Sequence, residues 1–543
     1  MTIFQVPESQ DKSDRGSSGK LRSRLDKWRL ALLVFVAAYA VLLSLNLSNM
    51  AVQWDEVNHL TGGLLLIRGN LLQYFLTSSF YPPMFNLTTA AYFTIVGPTV
   101  FAARLVAVTF SALSTIAVYA LAKRMYGSKT GLMSAILFAF MPGIVWLSRI
   151  ALIETMMIFV FLVSMLYFFK WIETSRGRDL TISIAVFVIG CVVKYQILVL
   201  VPIIIVASML IFGRKNYLKA QILRVLKFPL LIATVVAIGI AAVAIFELYA
   251  YGLLGVMWFS IQTGTASRTV YSSTYLAPIF YLVELIFTSG SVHPISLLVY
   301  ALALGGIALF ALRRKSSDKF LLICFATVYG VFTIIPNKDW RYVILLFPIL
   351  AISASNLIVL SLEKMARTWQ SPKSTKARKH TAKLAAACLI VISVSGIFLS
   401  ISDAQNWLST EPAKLPIEQA TAYAAQSLGS NQSIVVACPL NLLSNYLVWF
   451  YLNAKTPSQS SVWQYPTQAV DAYTPNFNTT DFISLCQQNN AKYVFLYEYS
   501  DLNYFNSNLT SNDISAMLSA SSRFVLMEAF GTPPNRIFVF AFN

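Results

Sequence analysis

From Trp28 onward the sequence is a succession of strongly apolar runs broken by short basic ones, and that pattern restricts the fold more than any motif does. About twenty apolar residues suffice to cross a bilayer as a helix, where each backbone N–H and C=O has to be satisfied within the segment. Eleven such runs occur, near 28–50, 100–122, 131–148, 154–170, 180–194, 195–213, 228–250, 293–312, 319–335, 341–361 and 384–402. Composition agrees, since 57% of the 543 residues are hydrophobic and 12% are charged, against roughly 45–50% apolar content in soluble domains. The predicted fold class is mainly α, a polytopic membrane protein with about eleven transmembrane helices and a small C-terminal extracytoplasmic α/β domain.

The net charge of +18 does not point to nucleic acid, because the basic residues fall in short runs between apolar stretches rather than on one patch. With the N-terminus inside, the cytoplasmic segments are the polar arm of residues 1–27, KRMYGSK, KWIETSRGR, GRKNYLKAQILRVLK, RRKSSDK and KMARTWQSPKSTKARKHTAK. They hold about 29 of the 41 Lys and Arg, the bias that sets membrane orientation. No small-residue cleavage site follows the first apolar run, so it is expected to stay as an uncleaved helix. An odd number of crossings then puts everything after about Ser402 outside, and the plasma membrane is the expected location.

Two apolar stretches fit poorly as spans. Residues 83–97 begin at Pro and stop at Gly-Pro, and counting them as a crossing would put KRMYGSK outside, so they are expected to lie in the membrane interface. Residues 274–288 carry an internal Pro and a Glu and are assigned to an outer loop. In the tail, residues 403–543, short β-rich runs (SIVVAC, KYVFLYEY, RIFVFAF) alternate with helical patterns at PIEQATAYAAQSL and TTDFISLCQQN, which predicts a small α/β domain. Cys191, Cys324 and Cys388 lie in apolar runs, whereas Cys438 and Cys486 lie in the tail and leave pairing open. Five Asn-x-Ser/Thr sequons, at Asn46, Asn86, Asn431, Asn478 and Asn508, mark permissible acceptors without defining a function.

Chemistry-bearing residues gather at the expected outer ends of the spans. The first outer loop, 51–99, opens VQWDEVNHL, with adjacent carboxylates Asp55 and Glu56; on a helix, Asp55, Asn58 and His59 share a face. A carboxylate there could take a proton from an acceptor hydroxyl; the ordinary alternative is a solvated helix start, since acids favour the first turn. Glu154 stands in an apolar context after Arg149, and a structural pair between the two competes with a functional role. In PNKDWRYVILLFPIL, helical spacing groups Lys338, Arg341 and Tyr342, cations suited to a phosphate or to interfacial anchoring. Lys194, Arg104 and Arg268 are further outer cations, and Asp55, Glu56 and His59 could ligate a divalent ion, leaving metal dependence open.

In this order and placement, WDEVNH, YPPMFN, FAARLVAVTFSALSTIAVYALAKRMYG, SRIALIE and KDWRYVILLFPIL resemble the GT-C glycosyltransferases of the protein O-mannosyltransferase and aminoarabinose lipid A transferase type, over about residues 28–361. The resemblance implies a polyprenyl- or dolichyl-phosphate sugar donor and an inverting single displacement outside the membrane. It maps the base onto Asp55, with Glu56 its neighbour, and a second acid onto Glu154, where relatives more often carry Asp. It maps donor-phosphate cations onto Lys338 and Arg341, with Arg149 and Lys194 as further candidates, and the paired prolines onto Pro82 and Pro83. An MIR-like insertion in 251–292 and a WWDYG-type motif are missing, unlike eukaryotic protein mannosyltransferases and oligosaccharyltransferase catalytic subunits respectively; the tail resembles that of prokaryotic members.

The expected function is transfer of a sugar from the lipid phosphate to an extracytoplasmic protein, glycan or lipid. No cofactor is firmly implied. The alternative is a polytopic transporter or lipid-sugar flippase without transferase activity, although the halves show none of the inverted repetition common in transporters.

Overall fold

The structure is a computed structural model that describes residues 27–78, 81–212, 239, 242, 262, 275–287, 292–411, 414–438, 445–455, 460–465, 477–498 and 510–543. Helix α1 (Lys27–Ser44) is followed by three short helices, α2 (Trp54–Ile67), α3 (Leu71–Ser78) and α4 (Met84–Val96). Then come α5 (Val100–Tyr126), α6 (Ser128–Ala139), α7 (Pro142–Ser148), α8 (Glu154–Thr174), α9 (Gly177–Cys191), a 3-10 turn at Tyr195–Val199 and α10 (Leu200–Phe212). After α11 (Ala277–Glu284) the bundle resumes with α12 (Leu297–Arg313), α13 (Ser316–Ile334), a 3-10 turn at Trp340–Leu346, α14 (Phe347–Gln370) and α15 (Lys376–Thr410).

Among the described residues, six helices are long and apolar enough to cross a membrane, and seven if the α6–α7 pair, bent by 66°, is one broken span. Pro142 at the first turn of α7 makes that break, because it cannot continue the ladder of α6. The expected spans at 180–194, 195–213 and 293–312 correspond to shorter helices, and the one expected at 228–250 lies outside the described residues, as do Arg268 and nearly all of the N-terminal arm. Helix α4 has 13 residues, about 20 Å at 1.5 Å per residue, too short for a crossing, and it packs on α2 and α5. Helix α15 runs on to Thr410, past the expected end of the last span.

Burial separates lipid-facing from inward-facing helices. On α1 and α15, Leu33, Val34, Val41, Val391 and Phe398 are exposed, a distribution suited to hydrocarbon rather than water. Helix α14 is central, with Phe347 through Asn356 buried. Small residues let it approach α12: a Cβ on Gly306 would stand 2.2 Å from the Ser353 carbonyl oxygen. Away from the Asp55 end, Tyr126 donates to Asp318 at 2.8 Å and Arg313 grips the same carboxylate, pinning the ends of α5, α12 and α13.

The tail contains α16 (Ile417–Ala425), β1 (Ser433–Ala437), α17 (Asn445–Lys455), β2 (Val462–Tyr465), α18 (Thr479–Gln488), β3 (Ala491–Glu498), α19 (Ser511–Ala520), β4 (Phe524–Thr532) and β5 (Asn535–Phe542). The sheet order is β2-β1-β3-β5-β4. Strands β1, β2 and β3 are parallel, with Val435 beside Val494, and β5 joins antiparallel with Val539 beside Phe495. The buried parallel strands read as continuous apolar runs for that reason. Cys438 and Cys486 are buried and form no disulfide with each other. Helix α17 rests on α2: Arg68 donates to the Asn453 carbonyl and to its Oδ1, and Phe93 meets Phe450 at 6.0 Å between ring centroids.

Candidate active site

Helix α2 begins at Gln53, whose backbone N–H donates to Glu56 Oε2 at 2.9 Å. This capping fixes the first turn and sends the adjacent carboxylates in different directions. Glu56 turns inward to Arg104 of α5. Arg104 Nε and Nη2 donate to its two oxygens at 2.8 Å each, and the Ala151 N–H donates to Oε1 at 2.7 Å. The remaining guanidinium hydrogens go to the carbonyls of Leu47, Met50 and Ala51. All five guanidinium donors are thus satisfied, and each Glu56 oxygen receives two donors. The group joins the exit of α1, the start of α2, α5 and the segment before α8.

Asp55 faces the other way and is 31% exposed. Tyr81 Oη donates to its Oδ1 at 3.2 Å and Arg341 Nη1 to its Oδ2 at 3.3 Å. Arg341 also grips Asp339, with Nη2 2.9 Å from Oδ2. Asp339 caps the 3-10 turn by accepting from the Arg341 N–H at 2.8 Å, which sets the course of this side chain. Glu154 lies in the field of Arg341 and accepts from Lys194 Nζ at 2.7 Å, while its Oε2 is buried without a hydrogen-bond partner among the described residues. Asp55, Tyr81, Glu154, Lys194, Asp339 and Arg341 therefore form one cluster, contributed by α2, the segment before α4, α8, the turn after α9 and the start of the 3-10 turn that precedes α14.

His59 lies one turn along α2 from Asp55. Its Nδ1 donates to Asn86 Oδ1 at 2.6 Å, and its ring packs against Tyr81 and Phe85. Burial holds its pKa below the usual range, opposed by the Asn86 hydrogen bond and the charges of Asp55, Glu154 and Glu56. Asn86, a sequon in the sequence, is fully buried in this contact. Burial, reinforced by the charges of Asp55 and Glu154, pushes the Tyr81 phenol up, so it remains a donor to Asp55. Pro82 is buried and Pro83 leads into α4, whose Met84 N–H donates to the Val192 carbonyl at 3.1 Å; this brings the proline segment against the turn that carries Lys194.

Other expected residues have separate partners. Lys338 precedes the 3-10 turn, and its Nζ donates to the carbonyls of Phe332, Thr333 and Ile335, closing the C-terminus of α13. Tyr342 accepts from Asn337 Nδ2 at 2.6 Å and stacks on Phe332. Arg149 donates to the carbonyls of Leu43, in the last turn of α1, and of Asn46 just beyond it, rather than to Glu154. The spacing argument assumed a regular helix through 338–342, whereas Asp339 starts that helix and leaves Lys338 outside it. Among the described residues, no three His, Cys, Asp or Glu side chains converge as a metal ion would require, and Glu56 is turned to Arg104. Tyr81 and Asp339 were not singled out from the sequence; both lie beside motifs that were, YPPMFN and KDWRY.

Residues 81–246 match the family described as dolichyl-phosphate-mannose-protein mannosyltransferase. The chain is similar in fold to ArnT from Cupriavidus metallidurans in the apo state, with a TM-score of 0.58 and 13% identity over 94% of this chain and 98% of that one. The same protein bound to undecaprenyl phosphate gives 0.57 at 13% identity, over 95% and 98%. The archaeal oligosaccharyltransferase AglB from Archaeoglobus fulgidus, in complex with an inhibitory peptide and a dolichol-phosphate, gives 0.52 at 11% identity, over 86% of this chain and 69% of that one. No curated protein sequence matches. The fold is thus the GT-C fold of these structures, a membrane helix bundle with a small C-terminal sheet domain. The likeness to the mannosyltransferase family is carried by residues 81–246.

Proposed function

We propose that the protein transfers a sugar, with inversion, from a polyprenyl- or dolichyl-phosphate donor to a protein, glycan or lipid acceptor outside the membrane. The observation that carries this reading is the convergence of a partly exposed carboxylate, Asp55, with Arg341 and the Glu154–Lys194 pair. Asp55 takes the proton of an acceptor hydroxyl as the oxygen attacks the anomeric carbon, and the bond to the lipid phosphate breaks. Arg341 and Lys194 stabilise charge on the departing phosphate; Arg suits this through its planar fork. Glu154 holds Lys194 and keeps one oxygen for the sugar or acceptor. Positioning supplies much of the remaining acceleration.

We assign the chemistry to the bundle, about residues 28–402, with the arm of 1–27 cytoplasmic and the tail of 403–543 on the acceptor side of a plasma membrane. The ligands bound in the similar structures, undecaprenyl phosphate and dolichol-phosphate, support a polyprenyl-type donor. The test is incubation of the purified protein with a panel of lipid-phosphate sugars and an acceptor extract. Release of free lipid phosphate with at least one donor, lost in Asp55→Asn, is expected. No release, together with movement of sugar-lipid across vesicles, would overturn the assignment in favour of a flippase.

A further inference from the structure

We propose that Glu411 is a positioning residue that sets the distance between Asp55 and Arg341 by tying together the two segments that carry them; the proposal rests on the reaction assigned above. Glu411 follows the last residue of α15, far from every motif. Its Oε2 accepts from Gln53 Nε2 at 2.8 Å, and its Oε1 accepts from Trp146 Nε1 at 2.5 Å. Gln53 caps α2 two residues before Asp55. Trp146 of α7 stacks on Trp407 of α15 at 5.1 Å and 18°, and both meet Trp340, at 6.1 and 5.5 Å. Trp340 immediately precedes Arg341.

One carboxylate thus holds the start of the Asp55 helix on one side and, through three indoles, the start of the Arg341 turn on the other. Trp340 and Trp407 are buried, so this cluster is an internal joint rather than an open platform for a sugar. Helix α7 is fitted closely to it: a Cβ on Gly143 would lie 2.8 Å from Trp340 Cζ3. The Asp55–Arg341 contact, at 3.3 Å, is long for an ion pair and brings together residues 286 apart in sequence. Its geometry is therefore sensitive to the supports behind it. Glu411 bonds to Gln53 directly and reaches the Arg341 turn through Trp146.

The experiment uses the full-length protein in detergent or nanodiscs, with Glu411→Ala, Glu411→Gln and Trp146→Phe. Glu411→Ala is expected to lower kcat about tenfold to a hundredfold while the donor KM stays within about twofold, since small misplacements of reacting groups act on the chemical step. Glu411→Gln is expected to recover most of the loss: the amide oxygen accepts from Trp146, and the Gln53 amide turns to accept from the new N–H. Trp146→Phe, which keeps a smaller aromatic ring and removes the indole donor, should cost about threefold to tenfold. Hydrogen exchange gives a readout that needs no turnover. In Glu411→Ala, backbone amides of residues 56–58 and 341–343 should exchange about tenfold faster, with those of β1 and β3 unchanged. Wild-type exchange at both segments, or a fall in kcat that follows the folded fraction alone and is not recovered by Glu411→Gln, would overturn the proposal. If the wild type transfers nothing but the exchange response is present, the positioning role stands and the assigned reaction is what fails.

Discussion

Asp55 and Glu56 are neighbours on one helix turn, yet the regions they enter differ in how completely their polar groups are bonded. Around Glu56 the guanidinium of Arg104 spends every N–H, each carboxylate oxygen receives two donors, and neither side chain is exposed. Around Asp55 the contacts are longer, Arg341 is shared with Asp339, and a Glu154 oxygen has no hydrogen-bond partner among the described residues. A saturated carboxylate has no lone pair to offer a substrate proton; an unsaturated one, open to solvent, does. The first region holds the second in place.

The comparison can be broken at either end, and the largest effect is expected at Asp55. Asp55→Asn should lower transfer by about 10²–10⁴-fold without moving the thermal midpoint, as lipid-phosphate release and thermal unfolding would measure. Glu56→Gln should do the reverse. It leaves the buried Arg104 charge incompletely paired, at a cost of about 3–5 kcal/mol, visible as poor folding; joint replacement by Glu56→Leu and Arg104→Met should restore part of it, as a double-mutant cycle would show. Arg341→Lys retains charge but loses the fork, and competition by lipid phosphate should weaken about tenfold to a hundredfold. Tyr81→Phe removes one donor to Asp55, for a change in kcat/KM of about twofold to tenfold.

The smallest expected effect concerns pH. Burial keeps the His59 pKa below its ordinary 6.5, so the unfolded chain takes up this proton first as pH falls. His59 therefore costs nothing well above 6.5 and destabilises the fold between 6.5 and its lower folded value, by at most about 1.4 kcal/mol per pH unit. Thermal midpoints measured from about pH 7.5 to 5.5 should fall less steeply in His59→Gln than in the wild type.

Much of the bundle was legible because hydropathy reports directly on the lipid, and helix α4 was legible as a short helix because Pro and Gly-Pro bound it. The bend before α7 was missed although Pro142 marks it, since the apolar run continues through it. In the tail, β1, β3 and β5 stood out as apolar runs, whereas the edge strand β4 is largely exposed and carries Glu528 among Val525, Leu526 and Met527. Within the site, residue types were legible and partners were not. Nothing in WDEV says which acid meets Arg104, and nothing near Arg149 says that Lys194 of another segment takes Glu154. Glu411 lay beyond reach altogether, because both of its partners are distant in sequence.

The bond from Gln53 to Glu411 joins residues 358 positions apart, and this has a consequence for biogenesis. At about 5–20 residues per second of synthesis, Asp55 waits roughly 20–70 s for Glu411 to be made. Arg341 arrives in that interval as well, and α17, which rests on α2, comes later still. A nascent chain already inserted in the membrane thus carries the early acidic loop without Arg341, Glu411 and α17. The proposed transfer therefore requires a chain made at least as far as Glu411.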